Sequence, residues 1–249
     1  MSARMSARVT LAVAGRVLRQ VRRDHRTLAM LLVVPCVLMS LLWWMFDGLP
    51  GAMFDRFGPA LLAMFPFIVM FLVTSVTTLR ERSSGTLERL LAMPMGKLDF
   101  LLGYALAFGL LAALQSALAV AVSVGLLGLD VNGPVWLLGV VAVVDAVLGT
   151  ALGLLVSAFA TTEFQAVQFM PAFVLPQILL CGLFVPRDAM PDVLGAVSDL
   201  LPLSYAVDAM QELVGRADQG EVWRSVGVVA GFAVVSLALG AATLRRRTP

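Results

Sequence analysis

The sequence predicts an all-α polytopic membrane protein: six transmembrane helices, an N-terminal interfacial amphipathic helix, a short cytoplasmic helix, and outer re-entrant or interfacial helices before the last span. Three observations predict it. Apolar residues make up 60% of the 249 and charged residues 14%, with a mean hydropathy of +0.93, more than a soluble core of this size requires. Six runs (28–46, 58–79, 100–127, 135–159, 166–185 and 223–244) are long enough to cross about 30 Å of hydrocarbon as helices. They are continuous rather than alternating, which excludes a transmembrane β-barrel. The third observation is the distribution of charge along the chain.

Lys and Arg in short loops stay on the cytoplasmic side. Six spans put both termini on one side, and that side holds seven Arg before Leu28, then Arg80, Arg82, Arg89 and Lys97, then Arg245, Arg246 and Arg247. The other side holds only Arg56, Arg187, Arg216 and Arg224, together with ten acidic residues, and Asp145 lies within a span. The reading is therefore N-in, C-in. A modest net charge of +2 conceals a basic face suited to an anionic inner leaflet, with no case for nucleic acid. Cys36 and Cys181 fall inside predicted spans and read as small apolar packing residues, neither disulfide nor metal ligands.

The chain reads as a single transmembrane domain, 1–249. Residues 1–27 form a cytoplasmic amphipathic helix, 28–185 carry spans one to five, 186–222 form an extracytoplasmic region, and 223–249 hold span six with a basic tail. In the first segment Arg16, Arg19, Arg23 and Arg26 fall on one helical arc, and Val13, Val17, Val21 and Leu18 on another. Such a helix lies at headgroup level with its apolar face down. The basic region is too long for a cleaved leader and no small-residue cleavage site follows the apolar run, so the first span is expected to stay in the mature protein. His25, the one histidine, stands among arginines with no second ligand or nucleophile beside it and reads as solvated or lipid-facing.

Between spans two and three lies Arg80-Glu81-Arg82-Ser83-Ser84-Gly85-Thr86-Leu87-Glu88-Arg89-Leu90-Leu91-Ala92-Met93-Pro94. Pro94 ends a helix there, Ser84 or Thr86 caps its start, and Leu87, Leu90 and Leu91 share one face while Glu88 and Arg89 point away. The string R-E-R-x-x-G-T-L-E-R-L-L-x-x-P resembles the cytoplasmic coupling segment of ABC-2 type permeases, the membrane subunits of ATP-driven exporters that include the daunorubicin-resistance family. The resemblance implies that a coupling helix near 84–94 seats in a cleft of a partner ATPase, through Arg80, Glu81, Gly85, Thr86, Leu87, Glu88, Leu90, Leu91 and Pro94.

Two further strings extend the resemblance over nearly the whole chain. Gly182-Leu183-Phe184-Val185-Pro186, then Met190-Pro191, then Leu201-Pro202-Leu203-Ser204-Tyr205 with Ala209 look like the family's ending G-L-F-x-P, M-P and L-P-x-x-Y-x-x-x-A-x-R. Met210 stands where that ending commonly has Arg, which puts in question any salt bridge made there. In this region Val193, Leu194, Val197 and Leu201 share one helical face, and Ala206, Met210, Leu213 and Val214 another. Two short helices broken at Pro202 are expected on or in the outer leaflet, with Asp192, Asp199, Asp208 and Glu212 facing water. They form either a static cap or an extracytoplasmic gate built on Gly182, Leu183, Phe184, Pro186, Pro202 and Tyr205.

Within the spans, Asp145 sits near mid-bilayer, where inserting an Asp costs about 3 kcal/mol. It reads either as a counter-charge on a substrate path, with Phe173 as a second lining residue, or as a carboxyl bonded to Thr or Gln of a neighbouring span, among Gln115, Gln165, Gln168, Gln177, Thr74, Ser75, Thr77 and Thr78. Pro171 and Pro176 interrupt the fifth span. Phe65, Phe67, Phe71, Phe169, Phe173 and Phe184 either wall a path for a hydrophobic drug or face lipid.

No G-x-x-x-x-G-K-[ST], G-x-S-x-G or H-E-x-x-H occurs, which argues against an autonomous enzyme. The resemblance implies a permease subunit of an exporter in the bacterial cytoplasmic membrane, moving an amphiphilic drug, antibiotic or lipid-like molecule outward. It also implies a cytosolic ATPase that binds ATP and Mg, no cofactor in this chain, and a second permease copy or sibling permease. The alternative is a proton-coupled secondary transporter using Asp145.

Overall fold

The computed structural model describes residues 6–48, 53–83, 97–216 and 218–243. Its helices are α1 (Ala7–Arg23), α2 (His25–Phe46), α3 (Met53–Ser83), α4 (Lys97–Gly125), α5 (Val135–Ser157), α6 (Glu163–Leu180), α7 (Asp192–Asp199), α8 (Pro202–Val214) and α9 (Gln219–Thr243), with a 3₁₀ turn at Arg187–Ala189. No strand occurs among the described residues. The coupling-helix residues Gly85, Thr86, Leu87, Glu88, Leu90, Leu91 and Pro94 lie outside them.

Helix α5 is the centre, because its sequence is apolar on every side and its neighbours α3, α4 and α9 pack around it. The closest approach is to α3, and it depends on two glycines one turn apart. A Cβ on Gly153 would stand 2.5 Å from the Phe71 carbonyl oxygen, and one on Gly149 would collide with the Phe67 carbonyl. This small-x-x-x-small spacing lets two backbones meet without a side chain between them. Leu137, Leu138, Val141 and Leu148 then fill the core with Phe67, Leu203 and Met210.

The two ends of the bundle are chemically distinct. At the basic end, α3 finishes beside the start of α6, where Arg80 meets Glu163. At the acidic end, the Asp130 backbone N–H donates to Asp55 at the start of α3, and the Gly133 N–H donates to the Leu213 carbonyl at the end of α8. Among the described residues, five helices are long and apolar enough to cross a membrane: His25–Phe46, Met53–Glu81, Leu102–Gly125, Val135–Ser157 and Gln219–Gly240. Helices α7 and α8, bent by 92°, bring the count to as many as six if they form one broken span.

The fifth predicted span, 166–185, is not among these five, because the helix there, α6, carries Glu163, Gln165, Gln168 and Gln177 among its 18 residues and is less apolar than the others. Helix α6 is 18 residues long and stops at Leu180, because Cys181 leaves helical geometry and Gly182 turns the chain at φ +90°. About 27 Å at 1.5 Å per residue still carries it from the Arg80 end of α3 to the acidic end, where Leu180 meets α7 and α8.

The N-terminal segment corrects two expectations. Its apolar face is covered by protein: Val13, Val17 and Val21 are buried in one cluster with Leu31, Tyr104 and Phe108. The cause is Gly103 on α4, where a Cβ would stand 2.7 Å from the Val13 side chain and 2.9 Å from the Thr10 carbonyl, so the two helices cross in direct contact. Arg26 is not on the same arc as Arg16, Arg19 and Arg23, because the chain breaks at Asp24. The Thr27 backbone N–H and hydroxyl donate to the Asp24 carboxylate at 3.1 and 2.7 Å, which caps a new helix.

Candidate functional site

At the basic end, consecutive residues of α3 face different partners, since neighbours on a helix are about 100° apart. Arg80 donates to both carboxylate oxygens of Glu163, from Nε at 3.0 Å and from Nη2 at 3.1 Å, a forked pair between α3 and α6. Glu81 turns the other way and accepts from Arg16 Nη2 of α1 at 2.8 Å, with its side chain only 5% exposed. Asp99, near the start of α4, accepts from the Ser6 backbone N–H at 2.9 Å and from the Thr10 hydroxyl at 3.4 Å. Helix α1 therefore braces both flanks of the segment 84–96, holding α3 before it and α4 after it. Beside this network the two Thr27 hydrogen bonds, with the nearby Arg80 charge, hold the Asp24 carboxyl below the usual aspartate value.

At the acidic end, the expected gate residues come together. Gly182, Leu183, Phe184 and Pro186 line an open cavity of about 740 Å³ with Asp55, Arg56, Asp199, Asp208 and others. Pro202 is the first residue of α8, where its missing N–H costs nothing, and it is buried. Tyr205 donates from its hydroxyl to the Asp199 carbonyl at 2.9 Å, and its ring lies under the Arg187 guanidinium, 5.0 Å from the ring centre.

Arg187 is the residue that sequence reasoning passed over. Its guanidinium donates to Asp199 through one nitrogen and to Asp208 through another, fastening the turn after α6 to α7 and α8. Asp199, 66% exposed, faces water as expected while pairing with Arg187, and the expectation is corrected for Asp208, which is 38% exposed and paired. A signal existed, because Arg187 is the one basic residue between positions 57 and 215 on the predicted outer side, surrounded by aspartates. Met210, at the position where an Arg was expected, is fully buried against the core. The ion pairing of this region is carried instead from the turn between α6 and α7.

In the interior, Asp145 is wholly buried on α5, and neither carboxylate oxygen has a hydrogen-bond partner among the described residues. The expected bond to a Thr or Gln of a neighbouring span is therefore not made. Gln177 is engaged with α8, Gln165 accepts from Thr161 in the turn before α6, and the amide atoms of Gln115 and the hydroxyls of Thr74 and Thr78 are themselves without partners. Phe173 is 45% exposed on α6. Neither it nor Asp145 lines the cavity at the acidic end. Of the other phenylalanines, Phe67 and Phe71 are enclosed, with ring centres 6.5 Å apart, while Phe184 is exposed.

Comparison with known proteins bears on this arrangement. The sequence pattern of the family described as ABC-2 type transporter matches residues 8–214. The probable multidrug ABC transporter permease YbhR of Escherichia coli (strain K12) is 28% identical over 169 residues, 68% of this chain and 46% of its own length. YbhS, named as another probable multidrug ABC transporter permease of that strain, is 30% identical over 166 residues, 66% of this chain and 44% of its own. The linearmycin resistance permease protein LnrN of Bacillus subtilis (strain 168) is 24% identical over 187 residues, 72% of this chain and 48% of its own. The chain spans less than half the length of these relatives.

Proposed function

This chain belongs to the ABC-2 type transporter family, and from that premise we propose that it is the permease subunit of an ATP-driven exporter. Arg80 and Glu81, with Gly85, Thr86, Leu87, Glu88, Leu90, Leu91 and Pro94, receive a cytosolic ATPase that binds ATP and Mg. A second permease copy completes the translocation path. The basic end, carrying both termini, faces the cytoplasm of a bacterial cell, and the cavity beneath α7 and α8 opens outward as the gate. The cargo is an amphiphilic or hydrophobic small molecule, in keeping with relatives named as a probable multidrug ABC transporter permease and a linearmycin resistance permease.

One observation carries the reading. The two residues that begin the R-E-R string are each tied to a different helix, Arg80 to α6 and Glu81 to α1, so a displacement of the following segment acts on the bundle at two points. The test is co-purification of the chain with an ABC ATPase of the same organism, followed by uptake of a fluorescent amphiphile such as Hoechst 33342 into inverted vesicles. ATP-dependent uptake that survives Glu88→Ala together with loss of ATPase binding overturns the mechanism. Asp145, buried without a hydrogen-bond partner, supports the second reading: uptake driven by a pH gradient without ATP, and abolished by Asp145→Asn, establishes a proton-coupled transporter instead.

A further inference from the structure

Helix α6 buries only Ala166, Val174 and Gln177, so little of its position is fixed by core packing. Polar ties hold it at its two ends. At the basic end, Glu163 takes both branches of the Arg80 fork, and one turn on Ala166 packs in a small cluster with Leu79 of α3. At the acidic end, the Leu203 backbone N–H at the start of α8 donates to Gln177 Oε1 at 3.3 Å, and the Leu180 carbonyl accepts from the Ser198 hydroxyl at 2.7 Å and from Ser204 at 3.5 Å. Gln177 Nε2 donates back to the Phe173 carbonyl at 3.0 Å, which fixes the amide in the orientation that presents its oxygen to α8. Between the ties stand Pro171 and Pro176, each removing one backbone donor from the helix.

We propose that Glu163 is a positioning residue that transfers displacement of the basic end of α3, through Arg80, onto α6, and that α6 delivers it through Gln177 and Leu180 to α7 and α8. This rests on the reading that the segment after α3 receives an ATPase. The pair is suited to registering position rather than to holding the fold. Arg80 and Glu163 side chains are 57% and 49% exposed, and exposed pairs contribute little stability. The two parallel hydrogen bonds nevertheless set the direction in which one helix follows the other. Spatial continuity alone does not demonstrate coupling, so the test reads an energetic link between the two ends.

Four full-length chains are compared in nanodiscs with the co-purified ATPase: the natural sequence, Arg80→Glu, Glu163→Arg, and the exchanged double variant. Each carries Cys36→Ala, Cys181→Ala and the reporter Ala206→Cys, which replaces a fully buried residue of α8. Maleimide labelling of position 206 is measured with and without ATP plus vanadate, alongside ATPase rate and the fraction of ATPase retained. The expected result is ATP-dependent labelling with the natural pair, at least tenfold weaker in each single reversal and restored to within about threefold by the exchange, with ATPase retention unchanged in Glu163→Arg, whose residue lies outside the ATPase-receiving segment. Single reversals that label like the natural pair, or an exchange that fails to restore labelling while ATPase stays bound, overturn the role of Glu163 and leave the coupling reading standing. Absence of any nucleotide effect with the natural pair, ATPase bound and active, overturns both.

Discussion

Three glycines on one helix give a self-controlled test of where the bundle is tightest. A Cβ at Gly139 meets nothing within 4 Å, one at Gly153 would stand 2.5 Å from the Phe71 carbonyl oxygen, and one at Gly149 would run into the Phe67 carbonyl. Ordinary contact begins near 3.4 Å, so α3 must retreat by roughly 1 Å at either site. The neighbouring atom is backbone, which no rotamer change can move aside. Overpacking of this kind costs about 1–3 kcal/mol, offset by about 1 kcal/mol of helix propensity gained from Gly to Ala. Net of that offset, Gly149→Ala and Gly153→Ala are expected to lose up to about 2 kcal/mol each, and Gly139→Ala to gain up to about 1 kcal/mol. The double variant should lose less than the two singles together, because one retreat of α3 relieves both positions. Thermal unfolding in detergent of the two crowded variants, followed in a Cys36→Ala background by thiol-reactive dye capture of buried Cys181, should fall by up to about 8 °C. Equal melting of the Gly149 and Gly139 variants would refute the close contact of α3 and α5.

Other perturbations follow from the same geometry. Arg187→Ala leaves Asp208 half-buried without its cation and should lower stability by about 1–2 kcal/mol, more than Asp199→Ala, as read from melts at low and high salt. Asp145→Leu removes a buried carboxyl with no hydrogen-bond partner among the described residues and should raise stability by about 1–3 kcal/mol in equilibrium unfolding; unchanged or lower stability would mean the carboxyl is satisfied. Asp24→Ala should cost about 1 kcal/mol through the lost Thr27 cap. Because that carboxyl is held below the ordinary aspartate value, its contribution is full above the unfolded-state value and disappears as pH falls through the folded one, so natural and Asp24→Ala melts should converge only in strong acid.

Much of this architecture was legible in the sequence because a bilayer permits few alternatives. Runs of about twenty apolar residues can only become helices, and the helix ends at Phe46, Ser157 and Val214 fall close to where loop chemistry resumes. The Pro202 break was legible for the same reason, since proline fixes a helix start. Partner choice was not legible. The charges of Arg80, Glu81 and Glu163 were visible, but the sequence assigns none of them a mate across 65 or 83 residues. Met210 shows the opposite limit: a motif position occupied by an apolar residue, with the region's ion pairs supplied by Arg187. Nor did apolar periodicity distinguish a face turned to lipid from one turned to protein. That distinction on α1 hung on Gly103, a residue with no side chain to announce it.

The crossing of α1 over Gly103 also sets a biosynthetic order. Val13 leaves the ribosome about ninety residues before the glycine it packs on and the Asp99 carboxylate that holds Ser6 and Thr10. At about 5–20 residues per second that interval is roughly 5–20 s. During it, an arginine-rich helix with a bare valine stripe has one apolar shelter, the membrane surface beside its own first span. The headgroup-level helix that its sequence describes is thus the state expected of the nascent chain, and the docked helix is the state of the folded one. A substitution that crowds Gly103 should leave insertion of the first three spans intact and strand α1 at the surface, a defect of maturation rather than of topology.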